Sequence, residues 1–414
     1  MEMNASMNLP ILQSESAHHA IDYGAILALV RRYGRRAAAL SHMALRSSGE
    51  LTDLVAEMHN TIARTPLPFG KFKPDAKRAP FPYRIVSGSF NTMAESLAEI
   101  PATRDLSGPN EAPAWRLFRS IANGVLGDKL SHWNNALSSP LAIHDLNGAS
   151  LDLAQLRDET SKGLVLFAHG LCLSEREWNT PEHIKLTDGL RARGHAIGYI
   201  RYNSGRAIFE NGRELAALLN SHIGNNSLPL LLIGHSMGGL LFRSAWELAR
   251  RENHPWLQHV SHTVFLGTPH HGSPLEKVGN LANALLSHTP YTLPLMRLGN
   301  IRSRGIKDLR YGCITQEESD ITDDQRHRDP RSIVHPLPTH IRTLMISAAM
   351  QDPRGKILLG DGLVKINSAR GDHEDPALKL SSPKLERIHI EPLAHMALLS
   401  DARVYAAIRH WLWD

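Results

Sequence analysis

Ser236 stands in the run Gly234-His-Ser-Met-Gly-Gly239, a setting that could make it a nucleophile. A serine hydroxyl is weak on its own, so an enzyme that uses one must hold it clear of the fold, toward a base and a set of oxyanion donors. A sharp strand-to-helix turn does that. It forces the serine into a strained backbone conformation and presses the residues two before and two after it together, so both must lack a side chain. Those positions are Gly234 and Gly238, and Gly239 lets the next helix sit close to the strand. A five-residue pattern can arise by chance in a loop, and its context decides. Residues 228–233 are apolar and short enough for a buried strand, while Leu241, Ala245 and Leu248 share one helical face across 240–250.

With 24 histidines in the chain, composition singles out no base. The adjacent His270 and His271 suggest a metal at first sight, but no His-Glu-x-x-His run or third ligand accompanies them, and no metal site is expected. Cys172 and Cys313 are the only cysteines, which excludes a disulfide scaffold and suits a reducing compartment. Cys172 has no predicted base beside it and reads as a small buried apolar residue.

The elements that would position Ser236 begin near residue 139. Leu141 and Ile143, then Asn147-Gly148, then Leu151 and Leu153 predict two alternating strands joined by a type I′ turn. Strand-like runs follow at 164–168, 196–202, 228–233, 263–266, 341–347 and 385–390, separated by helical spacing at 180–193, 209–223, 240–251 and 401–413. That alternation predicts an α/β fold with a mostly parallel sheet flanked by helices. Residues 275–338 interrupt it and are too long for a bare connection, so a cap insertion is expected there, with Leu285, Leu286, Tyr291, Leu293, Leu295 and Met296 toward a pocket. The expected domains are a loose tail (1–20), an N-terminal helical extension (21–138) and a catalytic domain (139–414). Helices are expected in the extension at 26–44, 51–62, 83–99 and 115–126, with a Pro-rich connection at 65–82.

A chain of 414 residues, 42% hydrophobic and 21% charged, suits one large α/β domain plus an extension, or two domains. The net charge of +5 is mild, and no zinc-finger spacing or RNA-binding aromatic motif accompanies it, so no nucleic-acid partner is expected. No basic stretch followed by an apolar run opens the chain, and no segment nears the ~20 apolar residues of a membrane span, so the expected location is the cytoplasm. Arg31, Arg32, Arg35 and Arg36 cluster on the first helix. That face could rest on an anionic membrane surface, but a solvated face on a helix pair with matching apolar stripes is the simpler reading.

Five motifs carry a family resemblance: Phe-Ala-His-Gly-Leu (167–171), Gly-His-Ser-Met-Gly-Gly (234–239), Leu-Gly-Thr-Pro-His-His-Gly-Ser-Pro (266–274), Gly-Asp-Gly-Leu-Val (360–364) and Leu-Ala-His-Met (393–396). Together they resemble an α/β-hydrolase of the lipase and esterase type, similar to bacterial lipases and to the hydrolase domain of GPI inositol-deacylases. The likeness covers roughly residues 140–414. It implies Ser236 as nucleophile and His395 as base, since the base of this family follows the last strand and precedes the final helix. It implies Asp361 as the acid over Asp352, which precedes Pro353 and reads as a turn-former. The amides of Leu171 and Met237 become the oxyanion donors, His169 an anchor of the oxyanion loop, and His169, Gly170, His270 and His271 neighbours of the pocket. No calcium ligands can be matched, so no cofactor is expected. The implied activity is hydrolysis of a small-molecule or lipid carboxylic ester through an acyl-enzyme. The alternatives are an acyltransferase or thioesterase with the same triad, or a hydrolase-fold binding protein without turnover.

Overall fold

The computed structural model describes residues 113–160, 162–224, 228–273, 303–321 and 335–413. The expected tail, the helices at 26–44, 51–62 and 83–99, the arginine cluster and the apolar residues at 285–296 lie outside the described residues. In chain order the elements are α1 (Pro113–His132), β1 (Ala142–His144), β2 (Ser150–Leu151), α2 (Leu153–Asp158), β3 (Gly163–Ala168), α3 (Pro181–Arg191), β4 (His195–Arg201), α4 (Ile208–His222), β5 (Leu230–His235), α5 (Met237–Arg251) and β6 (Val260–Leu266). They continue with α6 (Arg304–Tyr311), α7 (Gln316–Ser319), β7 (Arg342–Ala348), α8 (Ile366–Arg370), β8 (Leu385–Ile390) and α9 (Ala402–Trp413).

The eight strands form one sheet in the order β2-β1-β4-β3-β5-β6-β7-β8. β1 runs antiparallel to both neighbours, and every pairing from β4 to β8 is parallel. Successive side chains of a strand face opposite sides. Leu164, Leu166, Leu230 and Leu232 therefore join α1, α4 and α5 in one core, while Val165, Phe167, Leu231 and Ile233 join α3 and α9 in another. Burial on both faces is why these strands read as unbroken apolar runs.

Three local outcomes differ from expectation. The β1–β2 connection is no type I′ turn: Gly148 has φ 91°, but Asn147 is not left-handed as that turn requires. The Asp145 carboxylate accepts the amides of Asn147 (2.9 Å) and Ala149 (2.8 Å) and folds the turn around itself. Leu153 does not continue β2. The Asp152 side chain accepts the Ala154 amide at 2.8 Å, an N-cap that starts α2 instead. Finally, α1 is longer than expected, and its Phe118, Ile121, Leu126 and Leu130 are buried in the same core as the sheet.

The chain leaves β3 toward β4 and returns past it to β5, so β3 and β5 flank the point where strand order reverses. Ligands of open parallel sheets bind outside the carboxyl ends of the strands at such a point. The turns after β3, β5, β6, β7 and β8 all open on that edge.

Candidate active site

β5 passes into α5 through Ser236, whose φ of 54° and ψ of −122° lie in a sparsely populated region. Such a residue costs about 1–3 kcal/mol and persists only where its surroundings impose it. Here the Ser236 amide donates to the Leu266 carbonyl at 2.8 Å, and the Gly239 amide donates to the Ser236 carbonyl at 3.1 Å. A Cβ at Gly234 would stand 2.6 Å from the Gly239 nitrogen, and one at Gly238 would stand 2.4 Å from the Ala168 oxygen. The elbow closes only without those side chains.

His395 follows β8, and its Nδ1 donates to Asp361 Oδ2 at 2.7 Å with both side chains buried. The other carboxylate oxygen, Oδ1, accepts the amides of Leu363 (3.0 Å) and Val364 (2.8 Å), and the His395 amide donates to the Asp361 carbonyl at 2.9 Å. The carboxylate is thus fixed from both ends. With the proton held on Nδ1 by a carboxylate, Nε2 is the basic nitrogen. That nitrogen is buried and has no hydrogen-bond partner among the described residues. Gly267, φ 56°, lies under the ring: a Cβ there would be 3.1 Å from His395 Cε1. Because Gly267 follows Leu266, the backbone that holds the serine amide also floors the imidazole.

The loop after β3 closes on the elbow at Gly170, where an added Cβ would stand 3.1 Å from Ser236 Cβ. The next amide, Leu171, donates to no acceptor among the described residues. Met237 is the first residue of α5, where N–H groups have no intrahelical partner. The His169 imidazole donates from Nδ1 to the Gly170 carbonyl at 2.8 Å and stacks on Tyr202 with ring centres 4.4 Å apart. Tyr202 in turn donates its hydroxyl to the His169 carbonyl at 2.8 Å. Burial pulls the His169 pKa down to about 4, so the ring stays neutral near pH 7.

Asp352 lies apart from the imidazole: its Oδ1 accepts the amides of Arg354 (2.9 Å) and Lys356 (2.8 Å) in an exposed turn. His270 is buried edge-on against Phe265 (4.8 Å), and His271 meets His373 (5.0 Å). Among the described residues no three His, Cys, Asp or Glu side chains are grouped to hold a metal.

A model of the alpha/beta hydrolase family matches residues 165–408, more than half of the 414. The chain belongs to the alpha/beta hydrolase family. Several solved structures are similar to the chain at low identity. A mature lipase of Bacillus licheniformis is 19% identical, with 61% of this chain and 91% of that one covered and a TM-score of 0.38. Alpha/beta hydrolase domain-containing protein 10 from mouse is 14% identical over 61% of this chain and 90% of its own, with a TM-score of 0.35. A type II thioesterase of the yersiniabactin pathway is 12% identical over 61% and 92%, also at 0.35. No curated protein matched.

Two groups at this candidate site escaped the sequence reading. His235, inside the elbow motif itself, lies with its ring centre 4.9 Å from that of His395, and burial holds its pKa well below the usual histidine range. Its place between Gly234 and Ser236 was a signal available in the sequence. Glu175, in the loop after β3, is fully buried against Arg201 and Arg116. Arg116 and Arg201 are far from it in sequence, and no local pattern announces their meeting.

Proposed function

We propose that the chain is a serine carboxylic-ester hydrolase. The observation that carries this reading is the buried 2.7 Å bond between His395 Nδ1 and Asp361 Oδ2, with Nε2 unpartnered among the described residues, together with a serine held at φ 54° whose amide bonds Leu266, the residue before the glycine under the imidazole. Ser236 Oγ attacks the acyl carbon as His395 Nε2 takes its proton, and the carbonyl oxygen becomes an oxyanion on the amides of Leu171 and Met237. The C–O bond to the leaving alcohol breaks, and the alcohol takes the proton from His395. A water molecule then attacks the acyl-enzyme by the same route and releases the acid. Asp361 holds the imidazole tautomer and stabilises the cation formed in each half. A missing oxyanion donor costs about 10²–10³ in rate, so preorganised amides account for a large share of the catalysis.

The substrate is a small-molecule or lipid ester with a hydrophobic acyl group, as the apolar residues at 285–296 suggest. Cys172 and Cys313 are both buried and neither forms a disulfide, which suits the cytoplasm. The experiment is hydrolysis of p-nitrophenyl esters of graded chain length by wild type and Ser236→Ala. Activity should fall by about 10⁴-fold or more, as for removal of comparable nucleophiles. Equal hydrolysis by both proteins refutes the reading. The same machinery serves thioesters and acyl transfer, and product analysis with acyl-CoA or added alcohols separates those reactions from ester hydrolysis.

A further inference from the structure

The oxyanion loop is braced from outside the stretch that matches the family. Cys172, directly after the Leu171 donor, is left-handed at φ 61°, a conformation that side chains other than glycine adopt only under constraint. Two contacts impose it. The Cys172 amide donates to Ser204 Oγ at 3.1 Å, and its sulfur fits against Gly124 of α1, where an added Cβ would stand 2.2 Å from Sγ and 3.0 Å from the Cys172 Cα and amide nitrogen. α1 is itself pinned at this level. Asn203 Nδ2 donates to the Gly127 carbonyl at 2.8 Å, and Ser303 Oγ to the Gly124 carbonyl at 2.7 Å.

A second brace acts three residues on. The Glu175 carboxylate, with no exposed surface, accepts two hydrogen bonds from Arg201, the Nε one at 2.8 Å, and lies 3.5 Å from Arg116 Nη1 of α1. Burial alone would raise this carboxyl, yet the guanidinium of Arg201 holds it ionised at about 2. Arg116 Nη2 also donates to the Asn147 carbonyl at 3.0 Å, tying the β1–β2 turn to the same point. The loop from Gly170 to Glu175 is therefore held by one helix at two places.

We propose that α1 is the back wall of the oxyanion loop, and that Gly124 and Arg116 are positioning residues for the Leu171 amide. This rests on the reading of Leu171 as an oxyanion donor. Neither residue touches the reacting atoms. Each acts by where it holds the loop. The contact at Gly124 is to backbone as well as to sulfur, so an added methyl cannot be absorbed by a side-chain rotation alone.

The test compares the full chain with Gly124→Ala, Arg116→Gln and Arg116→Lys for ester kinetics and for inhibition by a trifluoromethyl ketone, which forms an oxyanion adduct on the serine. Gly124→Ala should lower kcat by about 10–100-fold, part of the cost of losing one donor, with KM changed less than about threefold. The ketone should lose affinity by a similar factor. Arg116→Gln should follow in the same direction and Arg116→Lys should recover most of the loss, which keeps the test open if Gly124→Ala fails to fold. Folded variants with unchanged kcat and ketone affinity overturn the proposal, as does a loss shared equally by KM and kcat. Ser236→Ala in the same series separates the outcomes: if it stays active, the hydrolase reading has failed, and if it is dead while the α1 variants behave as wild type, only this inference has.

Discussion

Asp361 and Asp352 both follow β7, and their surroundings differ in kind. Asp361 is buried and spends one oxygen on two amides and the other on His395. Asp352 spends its carboxylate on its own exposed turn. Asp361→Asn should therefore lower kcat by about 10⁴-fold, the loss seen when a triad carboxylate becomes an amide and selects the wrong tautomer. Asp352→Asn should stay within a few-fold of wild type. Steady-state kinetics on one ester decides it, and a reversed ranking would move the acid to Asp352. In the sequence, the likeness of residues 360–364 to the lipase segment and the glycines on both sides of Asp361 are what put it ahead of Asp352. The contact of His395 with His235 was not readable in the same way, because it depends on how the turn after β8 folds back over the elbow.

Among the elements, the central strands were legible because burial on both faces gives continuous apolar runs, and the long helices α3, α4, α5 and α9 because of their helical spacing, while the short helices α2 and α8 were not read. The start of α2 and the β1–β2 turn were misread for one reason: a single aspartate, Asp152 in one case and Asp145 in the other, captures nearby amides and overrides the apolar alternation. Apart from the Asp361–His395 pair that the family resemblance implied, tertiary charge pairing was not legible. His335, in the segment leading into β7, lies between Glu247 of α5 (3.4 Å) and Glu318 of α7 (3.3 Å), while Arg243 donates to its carbonyl at 3.2 Å. Burial pulls its pKa down, but the two carboxylates outweigh burial and hold it at about 9. Because the folded value lies above the unfolded value of about 6.5, this pairing stabilises the fold fully below about pH 6.5 and is lost as pH rises through about 9. Urea denaturation of wild type and His335→Gln across that window should show the stability difference shrinking with rising pH. A constant difference would mean that the imidazole is not charged in the fold.

At the scale of the molecule, one sheet carries two cores, and α1 belongs to the core on the side of α4 and α5. A helix at 115–126 was legible, but its partner was not, since local helical spacing does not say what a helix packs against. Phe118 is 1% exposed, so Phe118→Ala should cost about 3–5 kcal/mol in a single cooperative urea transition. A cost below about 1 kcal/mol, or a separate early transition, would put α1 outside the cooperative unit. The whole arrangement has one chemical purpose on this account, which is to let Ser236 carry an acyl group. The most direct measurement is intact-mass and peptide mapping of enzyme quenched during turnover of a slow ester. The account predicts an acyl adduct on the peptide bearing Ser236 that vanishes in Ser236→Ala. Turnover with no modified peptide, or with the adduct on another residue such as Cys172, would contradict it.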